Sequence, residues 1–208
     1  MAKLLHIVGS PRGDRSYSLR AARAFVEAYR AAHPDDKVET WDLWADPPPA
    51  FDLGAVVAKY RILHGEEHTA EDAAAWQAVV ETIDRFKRAD KLLISSPMWN
   101  FAIPYPLKQL FDVIVQPTYT FSFSPETGYS GLIADTPALL VVARGGKYQG
   151  DTAAYDRQVP YLKQILGFVG ITDVKVVAVE PTLEGGREVA LQKLEAASEE
   201  LPGLAATF

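Results

Sequence analysis

Short apolar runs alternate with helix-length amphipathic stretches along the whole chain. The first run, Leu4-Leu5-His6-Ile7-Val8, closes on Gly9-Ser10-Pro11 and reads as a buried strand. Ser16 or Ser18 can cap the helix behind it, which runs to about Ala32 and stops before Pro34. Val38 to Leu43 gives a second strand, and Pro47-Pro48-Pro49 forces an extended connector. Helical spacing returns from about Leu53 to His64 and from about Ala70 to Arg88. Lys91 to Ser95 is a third strand, followed by a helix from Pro106 to Val115. Tyr119-Thr120-Phe121-Ser122-Phe123 alternates with period two, as a half-buried strand or hairpin arm does. Ala138 to Ala143 and Val174 to Val179 supply the fourth and fifth strands. A helix from Tyr155 to Phe168 separates them, and another from about Glu184 to Glu200 closes the chain.

Five strands alternating with helices predict a parallel sheet with right-handed crossovers and helices on both faces. The first turn chooses the order. A dinucleotide-binding turn needs G-x-G-x-x-G, and no G-x-G occurs anywhere in the chain; a Walker G-x-x-x-x-G-K-[ST] is missing too. The expected architecture is therefore flavodoxin-like, an α/β doubly wound five-stranded parallel sheet in the order 2-1-3-4-5, built as one domain over residues 1–208.

Composition narrows the chemistry. Apolar residues make up 48% and charged residues 23% of 208, so the chain is globular with room for a full core. There is no cysteine, which removes disulfides, thiolate metal sites, iron–sulfur clusters and cysteine nucleophiles together. A net charge of −6 argues against a nucleic-acid partner. The longest uninterrupted apolar run, Ala138 to Ala143, is too short to span a bilayer, and Met1-Ala2-Lys3 runs straight into a strand. A cytoplasmic protein is expected.

Three loops carry candidate chemistry, all after strands expected side by side. Gly9 to Ser18 offers Ser10, Ser16 and Ser18 hydroxyls, free amides at a helix start including that of Tyr17, and charge from Arg12. These suit a monophosphate that needs no metal bridge. Alone, the loop reads more readily as an ordinary serine-capped helix behind a turn. Pro97-Met98-Trp99-Asn100-Phe101 places flat apolar surface and one amide in a turn stiffened by proline, which suits a heteroaromatic ring with polar edges. Core packing is the plain alternative for those aromatics. Arg144-Gly145-Gly146 lets backbone amides approach a ligand edge, or makes a simple flexible turn. Convergence of the three on one crevice points to a flavin.

These residues resemble the FMN-dependent NADH-azoreductases, also described as FMN-dependent NADH:quinone oxidoreductases, over nearly the whole chain. The likeness runs through S-P-R-G-x-x-S-x-S, Pro97 to Phe101, Thr120-Phe121-x-Phe123, Gly128 through Gly131-Leu132, Arg144-Gly145-Gly146, and Pro160-Tyr161-Leu162 to Gly167-Phe168-Val169-Gly170. The resemblance implies a flavodoxin-like homodimer with non-covalent FMN in each subunit and sites at the interface. With NADH or NADPH as donor and quinones or azo compounds as acceptors, the flavin itself would carry the chemistry, so ping-pong hydride transfer with no catalytic acid or base is expected. Ser10 and Ser16 to Ser18 would hold the phosphate and ribityl end, Met98 to Phe101 the isoalloxazine, and Gly145 and Gly146 its polar edge. Phe123 and Phe168 match positions facing the substrate. Ala143 stands where some relatives carry serine, and Phe123 where some carry tyrosine.

Two other readings stand beside this one. A non-enzymatic flavodoxin-type electron carrier would use the same fold without a donor site. His64-Gly65-Glu66-Glu67-His68 formally matches the inverted zinc-protease motif H-x-x-E-H, provided a helix runs through Gly65.

Overall fold

The computed structural model describes residues 1–208. Its main sheet contains β1 (Lys3–Val8), β2 (Lys37–Asp42), β3 (Lys91–Pro97), β6 (Ala138–Ala143) and β7 (Val174–Val179), in the order β2-β1-β3-β6-β7 with every pair parallel. Counting only these five strands, this is the expected 2-1-3-4-5. A separate antiparallel hairpin, β4 (Phe121–Ser124) and β5 (Gly128–Gly131), stands outside it. The helices are α1 (Tyr17–Ala32), α2 (Leu53–His64), α3 (Ala70–Lys87), α4 (Tyr105–Ile114), α5 (Gln158–Phe168) and α6 (Gly186–Ala206).

Strand sequence explains strand position. Every residue of β6 is buried, because a central strand is covered on both faces and so reads as an unbroken apolar run. Edge strand β2 buries only Trp41. Alternation divides the core into two layers. Leu4, Leu93, Leu139 and Val141 face α1 and α6, where Phe25, Leu194 and Leu201 cover them. Leu5, Ile7, Leu92, Ile94 and Leu140 face the other way, under residues of α2, α3, α4 and α5. The register pairs Val8 with Ser95 and Pro97 with Ala143, so the loops after β1, β3 and β6 open side by side at one edge.

Three sequence expectations change. The hairpin begins at Phe121 rather than Tyr119: Thr118 is left-handed at φ 68°, and the buried Thr120 hydroxyl donates to Ile114 O at 2.9 Å, ending the turn after α4. Helix α6 starts later than Glu184 because Gly185 and Gly186 have φ 82° and 76°. It also runs beyond Glu200, through Pro202, because Leu201 and Ala205 are buried there and Phe208 packs edge-on against Phe25 at 5.3 Å. The zinc-protease pattern fails on geometry. Gly65 at φ 68° ends α2 between the two histidines, and no three His, Cys, Asp or Glu side chains gather to hold a metal ion.

His6, on β1, is buried with Nε2 2.9 Å from Ser95 Oγ. Burial first, then the charge of Arg23, lowers its pKa from 6.5 to about 3. Between those pH values the unfolded chain binds a proton that the folded chain does not, so stability falls as pH drops. The slope approaches about 1.4 kcal/mol per pH unit. Urea midpoints measured from pH 6.5 to 4.5 should show it, and His6→Gln should flatten it; an equal slope in the variant would remove His6 as the cause.

Candidate active site

Behind β1 the chain turns at Gly9, whose amide donates to Ser95 O at 2.9 Å. A Cβ there would lie 3.3 Å from the same carbonyl, so a side chain would crowd the approach. After Gly13–Arg15, a single 3-10 turn, Ser16 caps α1: its Oγ accepts from the Leu19 amide at 3.3 Å and lies 3.2 Å from Ser18 Oγ. Ser10, Ser16 and Ser18 are 2%, 3% and 0% exposed, which separates this loop from an ordinary surface cap. The Tyr17 and Ser18 amides, in the first helical turn, have no protein acceptor. Arg12 and Arg15 are exposed, and the nearby Asp14 is tied to Arg23.

The loop after β3 is built differently. Trp99 and Ala102 exchange backbone hydrogen bonds of 3.0 and 2.9 Å, closing a two-residue turn over Asn100 and Phe101. Both central residues are left-handed, at φ 47° and 70°, as a primed turn requires. Asn tolerates that region; Phe does not, at about 1–2 kcal/mol. The strained Phe101 is also 51% exposed, so core packing does not explain it. Met98 is anchored through its amide to Ala143 O at 2.9 Å, and the Arg157 amide donates to Phe101 O at 2.9 Å. Pro97 closes β3 opposite Ala143. Trp44, unmarked by the sequence reading, joins this edge from the loop after β2. Its Nε1 donates to Gly9 O at 3.1 Å, and its ring lies 5.7 Å from Trp99 and 5.2 Å from Tyr105.

In the third loop Gly145 and Gly146 lie at the same edge, but the Arg144 side chain turns inward. Its Nη1 pairs with Asp156 Oδ2, and its Nε stands 2.8 Å from Glu180 Oε2 without the alignment of a hydrogen bond. The guanidinium is thus committed to two nearly buried carboxylates and braces the loop from behind. The Thr182 amide binds Arg144 O and Gly145 O, and the Leu183 amide binds Gly145 O at 3.0 Å. Gln158, fully buried at the start of α5, donates to Ser96 O at 3.4 Å while its Oε1 has no partner.

Phe123 and Phe168 lie elsewhere. Helix α5 begins beside Phe101 and ends at Phe168, a length of about 16 Å for its 11 residues. At that far end Phe168 sits 4.8 Å from the Phe121 ring and 5.6 Å from Tyr129, which in turn meets Phe123 at 5.0 Å. One chain therefore does not bring these two phenylalanines onto its own ring loop.

A family model described as having a flavodoxin-like fold matches residues 2–202. A protein of Nitratidesulfovibrio vulgaris (strain DP4) named FMN-dependent NADH:quinone oxidoreductase is 47% identical over 210 residues, covering all of both chains. This chain belongs to the FMN-dependent NADH:quinone oxidoreductase family. A further member, from Desulfotalea psychrophila, is 42% identical over 95% of this chain and 96% of its own. Among solved structures, the azoreductase of Bacillus anthracis str. Sterne superposes with a TM-score of 0.92 at 30% identity over the full length of both chains. A Bacillus anthracis FMN-dependent NADH-azoreductase in complex with FMN gives a TM-score of 0.87 at 29% identity, over 99% of this chain and 100% of that one.

Proposed function

We propose that the protein, as one flavodoxin-like domain, oxidises NADH or NADPH and reduces quinones or aromatic azo compounds with FMN bound along the open edge of β1, β3 and β6. The observation that carries this is the pairing of buried serine hydroxyls and free amides at one end of that edge with exposed, strained aromatics at the other. That donor set fits FMN: hydroxyls and amides for a phosphate dianion, flat apolar surface for a ring, and free loop amides for its polar rim.

Ser10, Ser16, Ser18 and the Tyr17 amide would hold the phosphate, with Arg12 adding charge. Pro97, Met98, Trp99, Asn100 and Phe101 would line the ring, and Gly145 and Gly146 would meet its edge. FMN supplies hydride acceptance from a dihydronicotinamide and two-electron delivery to the acceptor. The chain supplies position and electrostatics. The Phe101 turn presents its ring to solvent and shields the site floor, while the Gly145 and Gly146 amides favour negative charge nearby. Arg144 keeps that loop in place. No side chain is needed as acid or base, and donor and acceptor would use one face in succession.

The reading includes a homodimer. The separation of Phe123 and Phe168 from the ring loop supports it, since a second copy could bring this aromatic cluster over the first copy's ring. No helix is long and apolar enough to cross a membrane. The dinucleotide donor argues for the cytoplasm.

Purified protein should be yellow or take up added FMN, NADH under argon should bleach it without an acceptor, and menadione should restore the colour. Colourless protein that ignores FMN would overturn the reading; yellow protein that NADH leaves unbleached would favour the electron carrier. Phe101→Gly should relieve turn strain and raise the apo-protein's stability by about 1 kcal/mol. The same variant should weaken FMN binding in a fluorescence titration. Lower stability would contradict the strain argument.

A further inference from the structure

A cavity of about 520 Å³ lies between the start of α1 and the start of α6, lined by Arg12, Arg15, Arg20 and Arg187. None of these four arginines makes an ion pair in the structure. Its single lining carboxylate, Asp14, is held by Arg23. In a chain of net charge −6, four cations without partners around one cavity make a local anion trap. The walls are not only charged. Leu183 and Leu191, 79% and 37% exposed, and Tyr17 also line it. Arginines beside exposed apolar surface suit a ligand with phosphates at one end and a flat base at the other. The volume is that of a nucleotide-sized pocket.

The cavity borders the phosphate cradle without containing its hydroxyls: Ser10, Ser16 and Ser18 do not line it, while Arg12 and Tyr17 stand on the boundary between the two. It is also continuous with the active-site edge. Arg12, Arg15 and Tyr17 belong to the first loop, while Thr182 and Leu183 hold the Gly145 carbonyl through their amides. We infer that this cavity binds the ADP half of the dinucleotide donor, with its diphosphate on Arg15, Arg20 and Arg187 and its adenine against Leu183, Leu191 and the Tyr17 ring. This rests on the reading of the site as an FMN site at which a dihydronicotinamide reacts. It places donor affinity in residues remote from the ring.

The test uses the FMN-loaded protein and the double variant Arg20→Ala/Arg187→Ala, both exposed positions. The variant should stay yellow with unchanged FMN content, and its KM for NADH should rise about tenfold or more while kcat holds within about twofold. Reduced nicotinamide riboside, which lacks the ADP half and carries no phosphate, should react equally with both proteins. ADP should compete with NADH in the parent and lose most of that inhibition in the variant, whereas inorganic phosphate at equal concentration should compete weakly in both. An unchanged KM for NADH, or an equal loss with the riboside, would overturn the inference while leaving the FMN reading intact. Inhibition by phosphate matching that by ADP would reduce the cavity to a simple anion site and overturn the adenine assignment. Parent protein that fails to take up FMN would instead sink the reading beneath it.

Discussion

Replacing Arg144 by methionine should destabilise the protein by about 3–5 kcal/mol, the cost of leaving buried charge without its partner. The side chains of Arg144, Asp156 and Glu180 are 8%, 13% and 11% exposed, so water cannot take over when the guanidinium goes. The two carboxylates would then face each other across a site built for a cation. Asp156 also accepts the Gln158 and Val159 amides through Oδ1, capping α5, so a shift there reaches the helix that positions Phe101. Urea denaturation of the variant should show the loss. Adding Asp156→Asn and Glu180→Gln to Arg144→Met should recover a large part of it, because a neutral cluster no longer contains opposed charges. If the single variant is as stable as the parent, the buried pair is not what holds this loop.

Gly131→Ala should be comparably severe, for a steric reason. A Cβ at Gly131 would fall 2.2 Å from the Gly170 amide nitrogen and 2.3 Å from the Val169 carbonyl carbon, both backbone atoms that no rotamer change can move. Gly170 is itself left-handed at φ 107°, and its own Cβ would meet Ile133 O at 2.7 Å. The hairpin thus docks on the end of α5 by direct backbone contact. Forcing a methyl between them should cost about 3 kcal/mol or detach the hairpin locally, breaking the 2.9 Å bond from the Ile133 amide to Val169 O. Faster hydrogen exchange at Ile133 would report the detachment. Gly128→Ala in the same hairpin is the control: φ is 72° but nothing lies within 4 Å, so only about 1 kcal/mol of backbone strain is expected. Equal effects at the two positions would refute the contact argument. Quinone turnover should fall in Gly131→Ala with FMN retained, since the Phe121, Phe123, Tyr129 and Phe168 cluster would be disordered.

The sheet was legible because central strands such as β3 and β6 are buried on both faces and read as short apolar runs, β3 ending at Ser-Ser-Pro and β6 one residue before a Gly pair. The serine loop was legible for a similar reason, since capping and anion binding leave local signatures. The ion pairs of Arg144 gave no signal in the sequence, because Asp156 and Glu180 arrive from distant loops. Trp44 gave no signal, as an aromatic after a strand reads as core. Tyr119 fitted the period of a strand, but it packs against Trp76 with ring centroids 5.9 Å apart and leaves the hairpin to start later. The arginine cavity needs α1 and α6 packed together before Arg20 and Arg187 share a wall.

The rings at the open edge have one more effect. Trp99, Phe101 and Tyr105 are 36%, 51% and 65% exposed, and Tyr155, 5.7 Å from Phe101, is 58% exposed. Until something covers it, such an edge is adhesive. Cells short of vitamin B2 should therefore accumulate more of this chain as clumps than replete cells do.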